Sequence, residues 1–201
     1  MTLYTLKPVF QGLLRPAMFW LNRRQVTANH VTLAAVGLSL VTGAALVLFP
    51  CPGLFILLPV VLFVRMALNA LDGMLARECQ QQSRLGAMLN ETGDVLSDIA
   101  LYLPFIALPD SNAPLVLIML LCMVMTEFCG LLAQTLNGAR SYAGPMGKSD
   151  RAFAFGAWGL AISVWPPCGQ WNNAVWAVAI VLLIWTSVNR CRSALPGKAA
   201  K

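Results

Sequence analysis

The chain has 201 residues, of which 58% are hydrophobic and only 11% are charged; its mean hydropathy is +0.70 and its formal net charge is +6. Soluble domains are about half apolar and about a quarter charged, so a soluble enzyme, a disordered chain and a small disulfide scaffold are excluded. The composition predicts an integral membrane protein.

The first 28 residues are predicted to lie on the membrane rather than to cross it. Apolar side chains such as Phe10 and Leu14 alternate with the cations Lys7 and Arg15. This spacing is typical of an amphipathic helix lying in the interface. We therefore predict an amphipathic juxtamembrane segment over residues 1–28.

Six later segments are long and apolar enough to be membrane-spanning helices, which need about 20 such residues. Their Val, Leu, Ile and Ala residues do not alternate with period two, which favours helices over barrel strands. We predict an all-α integral membrane fold of six transmembrane helices within residues 29–190, followed by a basic tail over 191–201. The predicted spans are 31–49, 53–77, 86–108, 113–136, 150–165 and 171–189.

The distribution of Lys and Arg predicts the topology, because cytoplasmic connections carry an excess of these residues. The amino-terminal flank, the second-to-third and fourth-to-fifth connections and the tail contain Lys or Arg. The three other connections contain none. Both termini are therefore expected on the cytoplasmic side.

Away from the span ends, six charged residues lie within the predicted spans, where each costs about 2.5–3.5 kcal/mol at the bilayer centre and so needs a partner or a function. They are Arg65, Asp72, Glu91, Asp94, Asp98 and Glu127, with Asn69 and Asn90 beside them. Counting helix turns from the short second-to-third connection brings Asn69 level with Asp94, and Arg65 level with Asp98. The pattern predicts one polar cleft that opens to the cytoplasm.

Carboxylate and amide oxygens at one depth suit a hard cation such as Mg²⁺, Mn²⁺ or Ca²⁺. The candidate ligands are Asn69, Asp72, Asn90, Asp94 and Asp98. The alternative is that these groups form ion pairs. For Asp98 we favour a pair with Arg65, which has Glu127 as a second candidate partner. No cation is evident at the depth of Asp72 and Asp94, so a metal ion is favoured there.

The same residues form a motif that resembles the signature of the CDP-alcohol phosphatidyltransferases, D-x-x-D-G-x-x-A-R, about eight residues, then G-x-x-x-D-x-x-x-D. Asp72, Gly73, Ala76 and Arg77 match its first half, and Gly86 and Asp94 match its second half. The segment 27–32, Thr-Ala-Asn-His-Val-Thr, resembles the family's T-P-N-x-x-T. The chain departs from the signature at Asn69 and Asn90, where the family has its first and third aspartates.

The resemblance implies transfer of a phosphatidyl group from a CDP-linked lipid, usually CDP-diacylglycerol, to a small alcohol with release of CMP. It implies a divalent metal, Mg²⁺ or Mn²⁺, on the signature acids, and Asp94 as the catalytic base. The cofactor- and substrate-binding residues would be Gly73, Ala76, Arg77, Gly86, Lys148 and Arg151. The expected location is a bacterial inner membrane with the site facing the cytoplasm. The expected partners are membrane lipids and a second copy of the chain, not nucleic acid.

Several alternatives remain open from the sequence. Asparagine at two of the four acid positions has three possible consequences. The site holds one metal ion instead of two, it accepts a different alcohol, or the protein is a catalytically silent relative that only binds a CDP-linked lipid. An ion-coupled transporter is a third class, because intramembrane acids also mark those proteins. Lys148 and Arg151 either bind an anionic acceptor or only flank the fifth span, and Arg140 is interpreted as flank. Cys51 and Cys168 are a candidate disulfide on the outer side.

Overall fold

The computed structural model describes residues 7–195, with side chains from residue 10 onward, and every regular element in that part of the chain is helical. The all-α prediction is therefore confirmed. Residues 1–6 of the predicted amphipathic segment and residues 196–201 of the predicted basic tail lie outside the described residues. The helices are α1 (Lys7–Arg23), α2 (Ala28–Leu48), α3 (Leu57–Glu78), α4 (Arg84–Tyr102), α5 (Ala113–Asn137), α6 (Lys148–Val164) and α7 (Asn172–Ala194).

Within the described residues, four stretches are long and apolar enough to cross a membrane. They are Ala28–Leu48, Pro52–Glu78, Ala113–Asn137 and Pro166–Ala194. Helix α4 falls short because Glu91, Asp94 and Asp98 interrupt its apolar character, and α6 is only 17 residues long. Of the six predicted spans, the third and the fifth, α4 and α6, therefore do not qualify by length and composition.

Short 3-10 turns modify the predicted ends of three spans. They cover Pro52–Ile56, Leu103–Ala107 and Pro166–Trp171, and each has a proline in its first two positions. Proline has no N–H for the α-helical ladder, so α4 ends at Tyr102 instead of continuing to residue 108. The first two turns meet α7 in an aromatic cluster, in which the Phe105 ring lies 5.7 Å from Phe55 and 4.6 Å from Trp176, centroid to centroid.

Helix α1 occupies the predicted amphipathic segment and packs on α3. Met18 is fully buried in a cluster with Leu71, Met74 and Leu75, whereas Leu13 and Trp20 are exposed. The cation Arg15 pairs with Glu78 at the end of α3, at 3.3 Å. One apolar face of α1 therefore rests on the bundle and another remains available to lipid.

Two further predictions differ from the structure: the residue at which the last helix ends, and the candidate disulfide between Cys51 and Cys168. Helix α7 continues to Ala194, four residues into the predicted tail. Cys51 is exposed, Cys168 is buried, and both are free thiols in the structure. The candidate disulfide is therefore not formed.

The approach of α2 to α4 depends on Gly43. A Cβ atom built at Gly43 would lie 2.1 Å from the carbonyl oxygen of Ala100, which is backbone and cannot rotate away. Small residues at such crossings allow helix backbones to approach closely in membrane proteins. Gly43 thus determines how closely α4, with its acids, packs against α2.

We expect Gly43→Ala to destabilise the bundle, because overpacking costs about 1–3 kcal/mol. The apparent unfolding temperature in detergent should fall by about 5 °C. Gly37→Ala is the matched control on the same helix, since a Cβ there meets nothing within 4 Å. Equal unfolding temperatures for the two variants would contradict the close packing of α2 on α4.

Candidate active site

Helices α3 and α4 position the first part of the site as antiparallel neighbours. Ser83 is the N-cap of α4, and its side-chain oxygen accepts a hydrogen bond from the backbone N–H of Gly86. Such a cap stabilises the first turn of a helix. Along the pair, Asn69 Nδ2 donates to Asp94 Oδ1 at 3.2 Å. The contact confirms the register that places Asn69 and Asp94 at one depth.

Helix α2 supplies a third wall that the sequence argument did not include. Thr32 Oγ1 donates to Asp72 Oδ2 at 2.8 Å, and both residues are buried. Asn29, one turn earlier, also faces the cleft. The resemblance of the segment 27–32 to a family motif is the feature of the sequence that indicates this part of α2 as a wall of the site.

The three helices enclose a cavity of about 640 Å³. Seven of the predicted site residues line it: Asn69, Asp72, Gly73, Ala76, Arg77, Gly86 and Asn90. Gln11 of α1, Asn29 and Thr32 of α2, and Gln81 to Arg84 of the α3–α4 connection complete most of the wall. The other predicted site residues, Asp94, Asp98, Lys148 and Arg151, do not line this cavity.

Two glycines in this wall make room for polar side chains. A Cβ at Gly73 would lie 3.1 Å from Arg77 Nη2, and a Cβ at Gly86 would lie 2.8 Å from Asn29 Oδ1. The Arg77 guanidinium therefore lies back against its own helix at the cavity wall. Glycine at these two positions leaves the space that the side chains of Arg77 and Asn29 occupy.

The expectation that Asp94 has no cation at its depth is wrong. Lys148 Nζ, at the start of α6, forms an ion pair with Asp94 Oδ1, and Arg65 Nη2 lies 3.5 Å from the same oxygen. The contact between Lys148 and Asp94 was not predicted, because the two residues are 54 positions apart in the sequence and the packing of α6 was unknown. Asp72, in contrast, has no ion-pair partner among the described residues.

Asp98 forms the ion pair that was favoured for it. Its Oδ1 lies 2.5 Å from Arg65 Nη1, and its Oδ2 lies 2.8 Å from Arg151 Nη2. Because each carboxylate oxygen already contacts a guanidinium, the geometry disfavours Asp98 as a metal ligand. Two arginines on one buried acid neutralise its charge and fix its position.

Arg151 is enclosed rather than available to an acceptor. The residue is 1% exposed and donates to Asp98, to Glu127 Oε1 at 2.8 Å and to Thr126 Oγ1 at 3.1 Å. The expectation that Arg151 binds an anionic substrate is therefore corrected to a role in holding α6 against α4 and α5. Its planar guanidinium suits contacts of this kind, which need several donors in fixed directions.

Glu127 and Arg140 extend this ionic network. Glu127 does not partner Arg65, the alternative left open above; it contacts Arg151, Arg140 Nη2 at 2.7 Å and Arg190 Nη1 at 3.5 Å. Arg140 also pairs with Glu91, so its interpretation as a mere flanking residue is wrong. Burial opposes the charge of Arg140, but its two carboxylate partners outweigh burial and raise its pKa.

A metal ion here would need amide as well as carboxylate ligands. The described residues contain no group of three or more His, Cys, Asp or Glu side chains arranged to hold a metal. Asp72, Asn69 and Asn90 nevertheless place hard oxygen donors around one cavity. This donor set fits one oxygen-preferring divalent ion that takes its remaining ligands from water or substrate.

The fold and the site are those of an integral membrane protein with a polar cavity between α2, α3 and α4. The family model of the CDP-alcohol phosphatidyltransferases matches residues 25–187, and the chain belongs to this family. The family predicted from the signature is therefore confirmed, and the match extends over most of the chain.

Particular relatives were found by sequence and by structure. The chain is 69% identical to inner membrane protein YnbA of Escherichia coli K12 over 97% of both chains. It is 31% identical to the phosphatidylinositol phosphate synthase of Mycobacterium tuberculosis H37Rv, over 95% of this chain and 91% of the relative.

Two crystal structures of the M. tuberculosis enzyme superpose well on this chain, each with 25% identity and covering 92% of it. One, with CDP-DAG bound, has a TM-score of 0.73 and is covered over 96% of its length. The other, in complex with manganese and citrate, has a TM-score of 0.71 and is covered over 91%. The fold of this chain is therefore that of the mycobacterial synthase.

Proposed function

We propose that the chain transfers a phosphatidyl group from CDP-diacylglycerol to a small alcohol and releases CMP. The observation that carries this proposal is the cavity at which α3 and α4 gather seven residues of the signature region opposite α2. The mycobacterial relative with CDP-DAG bound supports the donor. Membership of the family supports the reaction class.

In the proposed reaction the acceptor hydroxyl oxygen forms a bond to the phosphorus that carries the diacylglycerol. The bond from that phosphorus to the CMP oxygen breaks, and CMP leaves with the electron pair. Asp94 accepts the proton of the attacking hydroxyl. This proton transfer requires the Asp94 carboxylate to lie within hydrogen-bond reach of the hydroxyl. A divalent ion held by Asp72, Asn69 and Asn90, Mg²⁺ or Mn²⁺, would neutralise charge on the pyrophosphate.

The other residues of the cavity bind and orient the donor in this proposal. Arg77 offers a planar guanidinium to a phosphate oxygen pair. Gly73, Ala76 and Gly86 keep the wall low enough for the nucleotide to approach the backbone. Lys148, next to Asp94, is the cation placed to contact an anionic acceptor, whereas Arg151 positions α6 through Asp98 and Glu127.

We also propose six membrane spans, α2 to α7, with both termini and the cavity on the cytoplasmic side of a bacterial inner membrane. The excess of Lys and Arg on alternate connections supports the orientation. The E. coli relative is an inner membrane protein by name, which supports the location. A homodimer is proposed on family likeness alone.

The test of the proposed function is CMP release by the purified protein in detergent. CDP-diacylglycerol is supplied with Mg²⁺ or Mn²⁺ and one alcohol at a time: glycerol phosphate, serine, inositol phosphate, glycerol and others. We expect CMP release with at least one alcohol and none after chelation of the metal. No release with any alcohol would contradict the proposed activity.

A second candidate is a silent or attenuated relative that binds the CDP-linked lipid without turnover. Asn69 and Asn90 favour it, since amide oxygens ligate a cation without adding negative charge. Comparing the parent with Asn69→Asp and Asn90→Asp separates the two candidates. Faster CMP release in the aspartate variants indicates attenuation, and slower release indicates that the asparagines suit a particular acceptor.

A further inference from the structure

The two acids that remain in the signature differ in their electrostatic surroundings. Asp94 Oδ1 contacts three donors: Lys148 Nζ, Asn69 Nδ2 at 3.2 Å and Arg65 Nη2 at 3.5 Å. Two of these donors carry a full positive charge. The negative charge of Asp94 is thus already balanced by the protein.

Asp72 is the opposite case. It is only 5% exposed, lines the cavity and accepts a neutral side-chain hydrogen bond from Thr32. No Lys or Arg lies within ion-pair distance of it in the described part of the chain. A buried carboxylate without a counter-ion is costly, so a cation from solution has its strongest attraction here.

The asparagines strengthen this contrast. Aspartates at positions 69 and 90 would add two negative charges between Asp72 and Asp94, which would attract further cations. In this chain the amide nitrogen of Asn69 instead donates to Asp94, leaving only its oxygen for a ligand. The cavity side of the site therefore carries a single negative charge, that of Asp72.

We propose that Lys148 is a resident cation of this site: its ammonium satisfies Asp94 in place of a second divalent ion, so the protein binds one ion, at Asp72. The inference rests on the proposed function for the identity of the site and specifies its metal requirement. It concerns binding, and it is tested without turnover.

The experiment is a Mn²⁺ titration of the purified protein in an uncharged detergent, with free Mn²⁺ measured by EPR and no CDP-lipid present. We expect one saturable Mn²⁺ in the parent and none in Asp72→Asn. Lys148→Met and Lys148→Gln expose the charge of Asp94 and should bind two. Lys148→Arg keeps the charge and should bind one, as should the control Arg192→Met, at an exposed position on α7.

Two Mn²⁺ ions in the parent, no saturable binding in the parent, or one ion in a folded neutral Lys148 variant would overturn the proposal. If neither neutral variant elutes as a monodisperse protein, Asp72→Asn decides instead: loss of the single Mn²⁺ is expected, and a retained ion overturns the proposal. The proposed function fails separately. One bound Mn²⁺ without CMP release contradicts only the activity, and two bound ions with CMP release contradict only this inference.

Discussion

Replacing Asp94 by asparagine is expected to abolish CMP release from CDP-diacylglycerol. Asparagine has nearly the same shape as aspartate but cannot accept the hydroxyl proton, and loss of a general base costs about 100-fold or more in rate. The substitution also leaves Lys148 and Arg65 without the carboxylate that they now contact. The initial rate of CMP release at saturating alcohol is the measurement.

Glu78→Gln is the matched control for Asp94→Asn. Glu78 is also an acid of this helix pair, but it lies at the exposed end of α3 and pairs with Arg15. Exposed pairs contribute about 0–1 kcal/mol, so this variant should retain the parent rate. An Asp94→Asn protein with more than about a tenth of the parent rate would show that another group removes the proton.

Replacing Arg151 by methionine is expected to produce the largest loss of stability. The change removes the guanidinium that joins Asp98 of α4 to Glu127 of α5, and it leaves these buried carboxylates with fewer partners. Breaking a buried ion pair from one side costs about 3–5 kcal/mol. For a chain of this size the apparent unfolding temperature in detergent should fall by about 10 °C or more.

Two further variants distinguish the network from a general effect of removing charge. Arg192→Met removes an exposed cation of α7 and should unfold at the parent temperature. Arg151→Lys keeps the charge but not the forked donors, so an intermediate temperature is expected. Unfolding of Arg151→Met within about 2 °C of the parent would contradict a stabilising role for this network, since even 1 kcal/mol shifts the midpoint by that much.

The sequence predicted contacts well where two helices are joined by a short connection. Counting turns from the α3–α4 connection brought Asn69 to Asp94 and Arg65 to Asp98, and both contacts are present. The calculation works because the rise per residue of a helix is constant and the short connection makes the helices neighbours.

Contacts to the last three helices were not predictable in this way. Lys148, Arg140 and Arg190 reach acids that are far from them in sequence, so finding them requires knowing which helices pack together. Positive charges at helix ends also have an ordinary explanation in membrane topology. That explanation concealed the role of Arg140, and it left Lys148 and Arg151 undecided.

Nearly all the acids within α3, α4 and α5 of this chain are paired with cations. Of the eight acids in the chain, six lie in α3, α4 and α5, and five of those six have cationic partners. Asp72 is the exception, and it faces the cavity. The acid without a counter-ion thus identifies where a cation and a phosphate would be bound.

Release of CMP from CDP-diacylglycerol by the purified parent protein is the measurement that decides whether this chain is an active phosphatidyltransferase. We expect release that requires both a divalent metal and an alcohol, stops on addition of a chelator and resumes when Mg²⁺ or Mn²⁺ is restored. An absence of CMP across the alcohol panel, or release that is unaffected by the chelator, would contradict the proposed activity.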